Sequence, residues 1–112
     1  MPINLGSKTG TTTNDYGTLI EASIPPQVKT VSIQLKENNV NAIKYKVDGT
    51  IDGSTWEAIK AEATLAKNAT IALTPSDTGL ERLADPWMKI RVQHKASIAD
   101  SQGNTTATII GQ

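Results

Sequence analysis

His94 is the only histidine in the chain, so any general-base chemistry has to pass through it. Asp100 and the hydroxyls of Ser97 and Ser101 follow within seven residues, which are the residue types of a nucleophile, a base and an orienting acid. A working triad also needs the imidazole to be oriented and an oxyanion hole to receive charge, and no motif supplies either. His94 is in phase with Met88, Ile90 and Val92, so it reads as an inward or edge residue of a strand. Asp48 and Asp52 lie four residues apart in Asp48-Gly49-Thr50-Ile51-Asp52-Gly53. Clustered carboxylate oxygens suit calcium, but the dense ligand spacing and closing glutamate of an EF-hand loop are missing, and two Asp-Gly turns account for the segment. With no cysteine there is neither a thiolate zinc site nor a disulfide frame. The residues imply no catalytic site, no cofactor and no bound metal.

Two further sets of residues suit binding. Trp56 and Trp87 could stack on a sugar ring, or could fill a core or a subunit interface. The chain has no phenylalanine, so a core without its tryptophans would be thinly filled. Lys89, Arg91 and Lys95, with Gln93 between, share one face of a late strand, either a solvated face or a surface for an acidic partner.

The elements that must hold these residues are short and β-like. The 112 residues suit one domain with one core. Eleven basic residues balance eleven acidic ones, leaving no footprint for nucleic acid or an anionic membrane. No apolar run spans a bilayer, and no secretory leader is visible at Met1 to Gly6. The sequons at Asn68 and Asn104 therefore carry no weight.

Residues 1–17 are small and polar and bury little, so a flexible N-terminal arm is expected there. From residue 18 onward the pattern is apolar alternation broken by turns. Strands are expected at 18–24, 31–36, 43–47, 69–73, 88–94 and 105–110. Pro25-Pro26 ends the first of these. The segment 55–67 is contested. Ser54 and Glu57 form a capping box and the alanines favour helix, yet the β context favours a strand at 56–63. Strands at roughly ten-residue spacing predict an all-β antiparallel sandwich over 18–112, jelly-roll or immunoglobulin-like.

Two stretches resemble a known group. These are Asn41-Ala42-Ile43-Lys44-Tyr45-Lys46-Val47-Asp48-Gly49, continued by Asp52-Gly53-Ser54-Thr55-Trp56, and Leu83-Ala84-Asp85-Pro86-Trp87-Met88-Lys89-Ile90-Arg91-Val92-Gln93. Together they resemble the β-sandwich proteins of tailed-bacteriophage virions, of the head decoration (cement) type, over about residues 30–96. The resemblance implies a non-enzymatic capsid decoration protein, made in the bacterial host cytoplasm and carried on the virion's capsid exterior. Its partners would be the major capsid protein or other virion subunits. A homo-oligomer is implied, with a trimer suited to three-fold capsid sites. The resemblance carries over no binding residue; the residues expected to meet such a partner are those of the loose arm, Thr11, Thr12, Thr13 and Tyr16, and of the basic strand face, Lys89, Arg91 and Lys95. The alternative is a carbohydrate-binding module on a tail or fibre, using Trp56 or Trp87.

Overall fold

The computed structural model describes residues 2–112. Eight strands run in chain order: β1 (Ile3–Thr11), β2 (Gly17–Ser23), β3 (Val31–Glu37), β4 (Ile43–Thr50), β5 (Glu57–Leu65), β6 (Thr70–Leu73), β7 (Lys89–Ala96) and β8 (Asn104–Gly111). They form two four-stranded antiparallel sheets, ordered β1-β8-β3-β6 and β2-β7-β4-β5. Of the two expected sandwiches, this order is that of the jelly roll, in which two Greek keys interleave.

Alternation builds the core. Val31, Ile33 and Leu35 of β3, Ile43, Tyr45 and Val47 of β4, Ile90 and Val92 of β7, and Ala107 and Ile109 of β8 all turn inward between the sheets. The contested segment is strand β5. Ile59 and Leu65 bury against the core, and Leu65 pairs with Ile43. Tertiary pairing outweighs the alanine-rich helix propensity.

The loose arm expected over residues 1–17 is corrected by β1, which pairs with β8 from Ile3 to Thr11. Its outward hydroxyls make a ladder with those of β8: Thr9 to Thr106 at 2.7 Å and Ser7 to Thr108 at 3.0 Å. On the inner side, Gly6 and Gly10 leave room for Ile20 and Leu19 of β2 to approach the strand. The missing apolar area is thus supplied by the partner strand. The turn after β1 is fixed too. Thr12 is buried, its hydroxyl donating to Gln102 Oε1 and accepting from the Gly103 amide.

A 3-10 turn at Glu81–Ala84 closes the core at the end carrying the β2–β3, β4–β5 and β6–β7 loops, with Leu80 and Leu83 buried. At the opposite end the Glu37 carboxylate, 0% exposed, accepts from the backbone amides of Val40, Asn41, Asn68 and Asn104. One buried charge thereby fixes the loops after β3 and β5 and the start of β8.

Candidate functional site

The pairing of β7 with β4 and β2 sets the outward residues of this sheet in rows. Lys95 lies beside Lys44, Gln93 beside Lys46 and Thr18, Arg91 beside Asp48 and Glu21, and Lys89 beside Thr50 and Ser23. All project from the face opposite the core. The predicted basic face therefore exists, but it is not bare. Arg91 Nε donates to Asp48 Oδ2 at 3.1 Å, Lys89 lies 3.7 Å from Glu21, and Lys95 lies 3.8 Å from Glu62. Lys44 shares the same Glu62 at 3.5 Å. Lys44, Lys46, Lys89, Arg91 and Lys95 outnumber Glu21, Asp48 and Glu62, so the face keeps a positive excess.

Two aromatic rings are set into this charged face. The β1–β2 turn brings Tyr16 over its upper part, where Lys46 and Lys95 sit 4.5 and 4.9 Å from the ring centre. Tyr16 OH donates to Glu62 Oε2 at 2.6 Å. Partial burial, then the Glu62 hydrogen bond and charge, hold the phenol above its ordinary pKa. The same hydrogen bond, with Lys44 and Lys95 nearby, holds the Glu62 carboxyl below its ordinary value. Lower down, half-buried Trp56 lies under the Arg91 guanidinium, 4.2 Å from its ring centre. Cations over aromatic faces each contribute about 0.5–1 kcal/mol at exposed sites and hold the rings in place. The result is an ordered, open face rather than a cleft.

The other sequence candidates fall elsewhere. Trp87 is 3% exposed and belongs to the core, with Nε1 donating to the Arg82 carbonyl at 2.6 Å. Met88, expected inward, is exposed instead, because Trp87 and Met88 precede β7 and the alternation begins only at Lys89. Arg82 stacks on Trp87 at 4.8 Å and pairs with Glu57 and Asp85. Thr11 accepts from the Asn104 side chain, and Thr13 donates to the Asp15 carbonyl, so both hydroxyls serve local structure.

His94 is buried, with Nδ1 3.2 Å from the Thr105 hydroxyl. Burial pushes its pKa below the ordinary value. Asp100 lies on the surface and bonds Asn14, so the two do not form an acid–base pair. Asp48 is engaged by Arg91. Asp52 accepts from the Ser54 and Thr55 amides and from Thr50, as an Asx turn does, and its pKa falls to about 2. Among the described residues no group of three acidic, histidine or cysteine side chains could hold a metal.

Sequence reasoning named Tyr16 and Arg91 but missed Glu62, Lys44, Lys46 and Asp48 as members of this face. Their partnerships cross between strands far apart in sequence, and no local spacing signals them.

No protein-family model matches the chain, and no curated protein matches it. Solved structures do. PirA is 13% identical, with a TM-score of 0.61 over 95% of this chain and 93% of that one. The SPBc2 prophage-derived protein YomS is 8% identical, with a TM-score of 0.54 over 100% of this chain and 96% of that one. The carbohydrate-binding module of endoglucanase Cel5A from Eubacterium cellulosolvens is 16% identical, with a TM-score of 0.51 over 100% and 98%. At these identities the likeness is one of fold: this chain shares a whole-length β-sandwich architecture with all three.

Proposed function

We propose that this chain is a non-enzymatic structural protein of a tailed-phage virion, a decoration protein that docks on the outside of the capsid and stabilises it. The observation that carries the reading is the ordered outer face of the β2-β7-β4-β5 sheet, with its excess of lysine and its two clamped rings. A broad, open, positively biased face suits a flat acidic protein surface better than a small substrate. The sequence resemblance to virion sandwiches supports the same reading. So does the jelly roll, a fold that recurs in viral capsid and lectin domains. Full-length likeness to a prophage-derived protein adds fold-level support. A protein that binds only the assembled shell stabilises it by mass action. The partner is the major capsid protein, and a trimer at three-fold sites is the assembly that such positions favour.

The test is co-sedimentation of the purified chain with capsids of the phage that encodes it. The chain is expected to pellet with capsids at micromolar concentration. The double variant Lys46→Glu/Lys95→Glu is expected to stay in the supernatant. No pelleting of the native chain, or equal pelleting of the variant, overturns the reading.

One observation favours a second reading, a carbohydrate-binding module on a tail or fibre. Trp56 and Tyr16 share this outer face, and both remain partly exposed. Retarded migration in gels containing polysaccharide, lost on Trp56→Ala, would favour that reading over capsid docking.

A further inference from the structure

The two sheets end in four edge strands, and one of them offers a long, regular, open edge. β6 has only four residues. β5 is broken by two register shifts, and Arg82 Nη1 donates to its Ala58 carbonyl. β2 shifts register between Thr18 and Ile20 and packs against β1. β1 has nine residues, no proline and one charge, Lys8. Its single irregularity is the bulge at Asn4–Gly6, where the Gly6 amide donates to Asn4 Oδ1. From there it pairs with β8 without a break, from Ser7 with Thr108 to Thr11 with Asn104. The Thr12 amide then donates to the Gly103 carbonyl and the chain turns. Asn104 directs its own backbone the other way, its amide to Glu37 and its carbonyl to the Asn38 amide. Thr11, opposite Asn104, therefore turns its N–H and C=O away from β8, and by the period of two so do Thr9 and Ser7. The side-chain bonds of the strand run to β8 or within β1, and Ser7, Lys8, Thr9 and Thr11 are exposed. An open row of donors and acceptors is a template for one more strand.

We propose that β1 pairs antiparallel with β1 of a second copy, Thr9 against Thr9, so that two copies join their four-stranded sheets into one about a two-fold axis. The open stretch itself selects this occupant. It is bounded by the bulge at one end and the turn at Thr12 at the other, and Thr9 is its middle residue. A second copy covers the whole stretch when Thr9 meets Thr9, since Ser7 then meets Thr11 and about six backbone hydrogen bonds form. A slip of two residues either way leaves open groups unpaired on both copies. Charge selects the same register. A lysine on an edge discourages indiscriminate pairing. With Thr9 at the centre, Lys8 falls opposite Gly10, whereas centring the pair on Lys8 would set two like charges face to face. The outer side chains agree as well. Ser7 and Thr9 already bond the hydroxyls of Thr108 and Thr106, and Ser7, Thr9 and Thr11 of the second copy continue that ladder across the axis. The strand is ordered before contact, so little entropy is lost on pairing. The contact is isologous, the commonest form of self-association. It runs along an edge, so the charged outer face of the other sheet stays open. The inference does not rest on the capsid reading.

The chain has no cysteine, so single cysteines read the register directly. In the proposed pair the two Thr9 Cα atoms stand about 5.5 Å apart, inside the disulfide range of about 4.4–6.8 Å. Ser7 lies four residues, about 13 Å along the strand, from its own counterpart. Under mild oxidation Thr9→Cys is expected to give a covalent dimer. Ser7→Cys alone and Thr11→Cys alone are expected to cross-link at least tenfold more slowly, and an equimolar mixture of those two is expected to give the mixed dimer at the Thr9→Cys rate. Sedimentation velocity gives the second readout. The native chain is expected to gain mass with concentration up to a dimer. Thr9→Pro removes an amide that β8 does not use, a place where an edge strand tolerates proline, and is expected to weaken the dimer at least tenfold with the fold retained in thermal melts. A native chain that stays monomeric at millimolar concentration overturns the proposal. So do equal cross-linking rates for the three single cysteines, or a folded Thr9→Pro chain that dimerises as the native chain does.

Discussion

The indole of Trp87 lies against the backbone of Gly49, so close that a Cβ at position 49 would stand 2.5 Å from Trp87 Cδ2 and 2.9 Å from Ile59 Cδ1. The Asp48-Gly49 pair that reads as a turn in the sequence is thus the last part of β4, and its glycine is required by packing. Gly49→Ala is expected to cost about 1–3 kcal/mol, the usual cost of overpacking a filled core. Gly17→Ala is the control, because a Cβ there meets nothing within 4 Å. It is expected to change stability by less than about 0.5 kcal/mol. Urea unfolding midpoints for the two variants check the pair.

Glu37 makes a second prediction. Burial alone would raise its pKa, yet the amides of Asn68, Asn104, Val40 and Asn41 hold it below the ordinary value. A carboxylate whose folded pKa is depressed contributes stability above its unfolded pKa of about 4.3. That contribution disappears as pH falls through the folded value. Glu37→Gln places an amide NH2 where one oxygen accepts backbone donors, and is expected to cost about 2–4 kcal/mol at pH 7. The native chain should therefore lose stability between pH 5 and 3 more steeply than the glutamine variant. Parallel slopes in urea melts would show that Glu37 does not carry the acid sensitivity.

Neither of these two sites was readable in the sequence, whereas the inward faces of the strands were. Alternation at Val31, Ile33 and Leu35, at Ile43, Tyr45 and Val47, and at Ile90 and Val92 reports inward faces because a strand has a period of two whatever it pairs with. β1 was not readable. Its large apolar residues are only Ile3 and Leu5; the rest of its burial is provided by Leu19 and Ile20 of β2 and by pairing with the hydroxyls of β8, so its own residues carry little apolar signal. The candidate face was half readable for the same reason. Lys89, Arg91 and Lys95 declare themselves by alternation, whereas the carboxylates that restrain them come from β2, β4 and β5. Met88 was misplaced in phase because the alternation of β7 begins only at Lys89.

His94, the only histidine, gives a third prediction. Burial depresses its folded pKa below the unfolded value of about 6.5. Protonation then favours the unfolded chain. Stability is full above the unfolded pKa and declines as pH falls from about 6.5 through the lower folded value. The native chain is expected to melt at a lower temperature at pH 5.5 than at pH 7.5. His94→Gln is expected to flatten that difference. An unchanged slope would assign the decline to carboxylates instead.

The last prediction separates the two tryptophans, one a scaffold residue and the other part of the outer face. Trp87 is enclosed by Gly49, Ile59 and Arg82, with its indole N–H bonded to a carbonyl, so Trp87→Ala leaves a cavity and removes that hydrogen bond. It is expected to cost about 3–5 kcal/mol, enough to unfold a marginal domain. Trp56 lies half-buried under Arg91, and Arg91 keeps its bond to Asp48 when the ring is removed. Trp56→Ala is therefore expected to cost only about 1 kcal/mol, the size of one exposed cation–π contact with a little packing. Fluorescence reads the same distinction without unfolding the protein. In Trp87→Ala fluorescence would come from Trp56 alone, so the informative variant is Trp56→Ala, whose remaining emission from Trp87 should be blue-shifted and resist acrylamide. Quenching of that variant as efficient as in the native chain would place Trp87 in solvent and remove the packing argument at Gly49. Resistance to quenching, with fold retained, would leave Trp56 as the tryptophan free to meet a partner on the outer face.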